Sequence, residues 1–210
     1  MRNVYPDGRR REQWMPQRAT TLTADDLPEE WRSARVVLLG PVAGEIDASL
    51  AGAFSDATLV GAGAQGWLRE VGADSRVRQI SPGEWEAAPI LQDVDALFLS
   101  DEDLSLEDAP LALAEWSSLV EVLAFTRGYD GADICYKGEW RRFDAYPAEP
   151  VDLTGAGDTF ATGFLARYAE TRAPWEAVRW GACAASLAIE GVGVEGMPTK
   201  DAILERLRGE

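Results

Sequence analysis

The sequence contains no histidine. That excludes imidazole acid–base pairs, Ser-His-Asp triads and histidine-ligated zinc from any account of its chemistry. Only two cysteines occur, Cys135 and Cys183, without Cys-x-x-Cys spacing, so no disulfide framework is expected. Cys183 lies in an alanine-rich stretch and reads as a small core residue. Basic residues are scarce as well: 20 Lys and Arg stand against 36 Asp and Glu, giving a formal charge of −16. Nucleic acid and anionic membrane both require a basic face, so neither is an expected partner. No apolar run is long enough to span a membrane, and the N-terminus has no signal-peptide hydrophobic region. A cytoplasmic protein is the expectation. Internal repeats, linkers and low-complexity segments are missing too.

What remains is a chain of 210 residues, 46% hydrophobic, sufficient for one domain with a sizeable core. Short apolar runs of buried-strand type occur at Ala34–Leu39, Ala57–Gly61, Asp95–Leu99 and Val122–Thr126. Between them, helical spacing appears over about Glu45–Phe54, Glu84–Leu91 and Leu111–Leu119. Alternation of this kind predicts βαβ units and a mostly parallel sheet. Ligands of such sheets bind beyond the carboxyl ends of the strands, which draws attention to Gly40, Gly61–Gly63, Ser100–Asp103 and Thr126–Gly128. Ala132–Tyr136 and Trp140–Phe143 flank Lys137-Gly138-Glu139 as an antiparallel hairpin. At the start of the chain, Asn3–Met15 reads as another hairpin around Pro6-Asp7-Gly8, with Arg9–Arg11 on one arm.

The stretch with most chemistry is Asp152-Leu153-Thr154-Gly155-Ala156-Gly157-Asp158-Thr159-Phe160. Two glycines around an alanine let the backbone present N–H groups without a Cβ in the way. A helix starting there adds unpaired donors and the positive end of its dipole, which together attract an anion. Asp158 falls in the first turn, where it either caps the helix or serves as a base beside the bound anion. Downstream, Phe160, Phe164, Leu165 and Tyr168 share one helical face, and Gly163 in mid-helix implies a close neighbour. A further helix begins near Pro174 and runs through Gly181–Ser186 to a stop at Gly191-Val192-Gly193. Pro198–Asp201 opens a final amphipathic helix.

The motif at Asp152–Phe160, with Gly163-Phe164 behind it, resembles the C-terminal signature of the ribokinase-like (PfkB) carbohydrate kinases. Thr126-Arg127-Gly128 with Gly131 resembles that family's Thr-x-Gly nucleotide loop. Ala182–Ile189, Gly191–Gly193 and Met197-Pro198-Thr199 resemble its C-terminal nucleotide-binding helix and closing segment. Ser100-Asp101-Glu102-Asp103 stands where the family has Asn-x-x-Glu, keeping an oxygen ligand and an acid but shortening their reach. The loop Gly63–Arg69 resembles inositol-kinase-like members.

The resemblance implies a three-layer α/β sandwich and phosphoryl transfer from ATP to a hydroxyl of a sugar or polyol, chemistry governed by positioning and charge stabilisation. Asp158 would be the base, and Gly155, Ala156 and Gly157 the anion hole. Thr126, Gly128, Ser186 and Gly191 would contact nucleotide. Ser100 and Asp103 would handle Mg2+, while Asp152 and the Thr154 carbonyl would hold a monovalent cation such as K+. The family also places initial sheet strands, a Gly-Gly substrate motif, a substrate-binding Asp and most of a lid ahead of the part matched here. No Gly-Gly-x-x-x-Asn pattern occurs before Leu22. The expected layout is therefore a residual lid hairpin over residues 1–20 and an α/β domain over 21–210 carrying the nucleotide half. It lacks the N-terminal strands and most of the lid, which implies either an active kinase or a catalytically silent remnant that binds nucleotide or a protein partner. An apolar sheet edge left open would favour a homodimer.

Overall fold

The computed structural model describes residues 2–4 and 12–209. The expected Pro6-Asp7-Gly8 turn and the arginines Arg9–Arg11 lie outside the described residues. The flanking arms, β1 (Arg2–Val4) and β2 (Glu12–Trp14), pair antiparallel. Next come β3 (Val36–Leu39) and β4 (Leu59–Gly63), then β5 (Arg69–Val71) and β6 (Val77–Gln79), which form an antiparallel hairpin of their own. The strands β7 (Ala96–Ser100), β8 (Val122–Thr126), β9 (Ala132–Tyr136) and β10 (Glu139–Phe143) follow. Six of them build the central sheet in the order β10-β9-β8-β7-β4-β3. From β3 to β8 the pairing is parallel, while β9 joins β8 and β10 antiparallel.

Strands with both faces buried need apolar residues at every position, and these have them. In β7, Leu97 and Leu99 face one core while Ala96 and Phe98 face the other. The first core is closed by α1 (Ala48–Ala51), α2 (Ala88–Leu91) and α3 (Ala109–Trp116), through Leu50, Leu91 and Trp116 among others. The second is closed by α4 (Ala156–Thr171) and α5 (Pro174–Ala188), and α6 (Lys200–Arg208) packs behind α5. The result is helices, sheet, helices: a three-layer sandwich. A separate small layer arises where β2 meets β6, through a Trp14–Arg76 bridge and the Met15 N–H donating to the Ser75 carbonyl at 2.7 Å.

Three local departures from the sequence expectations have simple causes. The α1 helix is shorter than Glu45–Phe54, because Asp47 caps it by accepting from the Ser49 N–H and Gly52 ends it. Glu84–Leu91 is not one helix: a 3₁₀ turn at Pro82–Glu84 is separated from α2, whose start is set by Pro89 in its first turn. The β5–β6 hairpin does not appear in the sequence pattern, since each arm has a single apolar residue and the others are charged or polar.

The α4 and α5 helices touch at very short range. A Cβ on Gly181 would lie 2.7 Å from the Phe160 carbonyl oxygen, and one on Gly163 would lie 3.1 Å from the Ala184 Cβ. Alanine at position 181 gains about 1 kcal/mol of helix propensity over glycine. The backbone clash outweighs this, so Gly181→Ala is expected to lose roughly 1–3 kcal/mol of stability in urea denaturation. A stabilised variant would show that the helices are not held at this distance.

Candidate functional site

The parallel strands end on a common edge, and two antiparallel steps bring the end of β10 back to that same edge. Near its C-terminal end α4 reaches the opposite edge, where the Tyr168 hydroxyl donates to Glu121, just ahead of β8. Burial and this contact push the Tyr168 phenol well above its ordinary range, so it stays a donor. At its other end Phe160 packs edge-on to Phe98, with ring centroids 6.3 Å apart. The helix therefore runs against the strands and opens its N-terminus at their carboxyl ends, the side where such sheets bind ligands.

Gly155 precedes the first turn with φ of 83°, the left-handed region that favours glycine. A Cβ at Gly155 or Gly157 would meet nothing within 4 Å, so both residues face open space. The Ala156 N–H is taken by the Leu153 carbonyl at 3.3 Å and the Thr159 N–H by the Gly155 carbonyl at 2.9 Å. Among the described residues, the donors left over at this helix start are the N–H groups of Gly155, Gly157 and Asp158. The Asp158 side chain is exposed, and no described residue hydrogen-bonds or ion-pairs with its carboxylate. Behind it the Thr159 hydroxyl is buried without a hydrogen-bond partner among the described residues. Sequence reading passed over Thr159, because only burial distinguishes an orphaned hydroxyl from an ordinary helix threonine.

The approach to the helix is fixed from two sides. The N–H groups of Val151 and Asp152 both donate to the Ile189 carbonyl at the end of α5, at 2.7 and 3.1 Å. Asp152 Oδ1 accepts from the Thr154 N–H at 2.9 Å. Hydrogen bonds from Thr154, with a further one from the Gly193 N–H, hold the Asp152 carboxyl below its ordinary value. Gly191 closes the same region by contact, since a Cβ there would lie 2.6 Å from the Gly196 Cα.

Thr126 ends β8 and its hydroxyl donates to the Leu99 carbonyl at 3.3 Å. Gly128, at φ of 52°, opens a 3₁₀ turn, and a Cβ there would meet nothing within 4 Å. Asp133 holds this turn in place: the Arg127 Nε donates to its Oδ2 at 2.7 Å, and Arg142 reaches both Asp133 Oδ1 and the Asp130 carbonyl. Ser186 is different. It is 5% exposed, donates to the Cys183 carbonyl at 2.8 Å and accepts from Arg206, which also pairs with Glu190. Its hydroxyl holds α5 to α6 and does not stand among the open donors of the α4 start.

Ser100 and Asp103 do meet, but they meet each other. Asp103, 6% exposed, accepts the Ser100 N–H and hydroxyl on Oδ2, both at 2.8 Å, and the Gln65 amide on Oδ1 at 3.2 Å. Both carboxylate oxygens are thus occupied by internal donors. Among the described residues no group of three acidic or thiol side chains is arranged to hold a metal ion. These residues do not fit a direct Mg2+ site.

Residues 75–200 match the family described as pfkB family carbohydrate kinase. The chain belongs to this family. It is 32% identical over 168 residues to the cytidine kinase of Thermococcus kodakarensis, covering 74% of this chain and 55% of that protein. Among solved structures, Arabidopsis thaliana ribokinase complexed with ribose and ATP superposes with a TM-score of 0.68 at 26% identity, over 90% of this chain and 61% of that one. A pyrophosphate-dependent kinase of the ribokinase family superposes at 0.77 and 20% identity, over 97% and 72%. The three-layer sandwich is therefore the ribokinase fold. The chain spans about half the length of the curated relatives it matches.

Two outcomes test this geometry. The depressed Asp152 carboxyl stabilises the fold above the carboxylate's ordinary value of 3.8, and this contribution disappears as pH falls through its lower folded value. The melting-temperature difference between the wild type and Asp152→Ala should therefore be present at neutral pH and shrink in acid. Thr159→Val removes an orphaned hydroxyl at constant shape, so unliganded stability in urea should be unchanged or higher by up to about 1 kcal/mol. A clear loss would mean that the hydroxyl has a partner.

Proposed function

We propose that this chain carries the phosphoryl-transfer centre of an ATP-dependent sugar or polyol kinase. The observation that carries this reading is the start of α4: open glycines, three unused N–H donors and an unpartnered carboxylate at one helix start. Phosphoryl transfer asks for charge stabilisation at the transferring group and a base for the acceptor hydroxyl. The N–H groups of Gly157 and Asp158 would face the developing negative charge, with Gly155 giving the turn its shape. Asp158 Oδ would take the proton from the attacking hydroxyl as the O–P bond forms, and the donor nucleoside diphosphate would leave. Thr126 and Gly128 would border the nucleotide on the turn fixed by Asp133. A monovalent cation such as K+ would sit against the Thr154 carbonyl beside Asp152. Mg2+ would arrive with the nucleotide and draw no direct ligand from Asp103.

A second reading is a remnant that binds nucleotide without turnover. One observation favours it: the acid at the expected metal position is closed by Ser100 and Gln65.

Asp158→Asn separates the two. In the kinase reading it lowers the rate of phosphoryl transfer to a sugar and polyol panel by about 10²–10⁴ while nucleotide affinity by calorimetry changes little. The panel is run with ATP and with pyrophosphate as donors. Nucleotide binding without turnover in the wild type would establish the second reading, and absence of both would overturn the site itself.

A further inference from the structure

β10 ends the sheet on the side away from β3, and Glu139, Trp140, Arg141 and Arg142 along it are all exposed. Among the described residues, β9 is its one backbone partner. Lys137 and Gly138, at φ of 48° and 83°, form the two-residue turn between the strands. Such a turn makes Tyr136 and Glu139 a hydrogen-bonded pair, and bonded pairs then alternate along the ladder. Glu139, Arg141 and Phe143 therefore direct their backbone groups to β9, while Trp140 and Arg142 direct theirs outwards. An edge of this kind is a template for another strand.

Charge says which strand fits. Lys137 pairs with Glu121 at 3.5 Å, Arg142 with Asp133 at 3.4 Å, and Arg141 with Glu139 of its own strand at 2.6 Å. The margin is thus close to neutral in a chain of −16, so two copies repel each other less here than over their acidic surfaces. Because only Trp140 and Arg142 face outwards, antiparallel pairing about a two-fold axis has few registers. Trp140 opposite its own copy brings Glu139 opposite Arg141 of the second copy, twice by symmetry. Trp140 opposite Arg142 would set Arg141 against Arg141, and Arg142 opposite its own copy is again a like-charge pair. Opposite charges across a ladder stabilise it and like charges destabilise it, so the first register is selected. β3, with only Val36-Val37-Leu38-Leu39, has no charge to make such a choice.

Apolar surface adjoins the same margin. Trp140 is 43% exposed and borders a groove of 370 Å³ with Pro110, Leu113 and Ala114, while Leu111 beside them on α3 is 77% exposed. In the selected register the two indoles meet across the axis on this face, an aromatic pair that adds to the backbone bonds.

We propose that β10 is the interface between two copies of this chain, paired antiparallel about Trp140 into one continuous sheet, with Glu139 of each copy against Arg141 of the other. α4 packs on β3, β4 and β7, away from this margin, so the interface stands or falls apart from the kinase reading.

Sedimentation equilibrium of the full chain over about 1–200 µM, where small interfaces dissociate, should show monomer and dimer in exchange. Glu139→Lys and Arg141→Glu, each alone, set like charges across the axis and should weaken association roughly tenfold or more. An equimolar mixture of the two variants should recover it, because the mixed pair has opposite charges at both crossings. That recovery cannot come from the Glu139–Arg141 contact within one strand, which both variants lack. Trp140→Thr leaves the charges and the strand in place and should also weaken association, which gives a readout independent of the charged variants. Circular dichroism checks that each variant is folded. A monomer at every concentration, a dimer indifferent to all three substitutions, or weakened single variants that do not recover on mixing would each overturn the proposal. Weakening by Arg141→Glu but not by Glu139→Lys would also overturn it, since that pattern belongs to the register with Arg141 against Arg141.

Discussion

The rest of the molecule depends on how closely α4 and α5 approach each other. With Gly163 and Gly181 at the crossing, backbone meets backbone, and the pair behaves as one rigid slab against the sheet. That slab sets both sides of the site. The start of α4 supplies the donors and the acid, and the end of α5 receives the N–H groups of Val151 and Asp152. The segment leading into the helix is clamped by the helix that follows it. Separation of the pair would therefore move the open start of α4 and its approach together.

A second theme is how the chain uses its surplus of acids. Without histidine, and with few lysines and arginines, its loops are organised by carboxylates that accept backbone N–H groups. Glu45 accepts from Val42 and Ala43 at 2.7 Å, Asp47 from Ser49, Asp103 from Ser100 and Asp152 from Thr154. Each is a structural use of charge, stronger than a neutral hydrogen bond and strongest where water is excluded. Asp158 departs from this pattern. It sits where a cap would be useful, yet its oxygens remain available, and that contrast sets it apart from the structural acids.

The sequence made the layers easy to see, because buried parallel strands announce themselves as apolar runs: β8 spans the same five residues that the pattern indicated, Val122–Thr126. The glycine motif was equally visible, since a positive φ at Gly155 and a close approach at Gly163 leave few other residues possible. Competition between partners was not visible. Asp103 and Ser186 have the right chemistry for a ligand, and nothing in a string of letters says that Gln65 and Arg206 reach them first. The β5–β6 hairpin escaped for a related reason. Its stability comes from cross-strand pairs such as Glu70 with Arg78, and from docking on β2, so it carries little hydrophobic signature.

The sheet has two margins, β3 at one end and β10 at the other, each bonded to a single neighbour. β7 and β8 each share ladders with two neighbours, whereas β3 is bonded to β4 alone and ends the sheet. Backbone amides there have fewer bonds to break before solvent reaches them. Opening that starts at β3 can spread inward some distance while β8, β9 and β10, with the turn at Gly128, remain paired. The turn at Gly128 is thus insulated from fraying at β3, and the molecule can breathe along that margin without loosening β8.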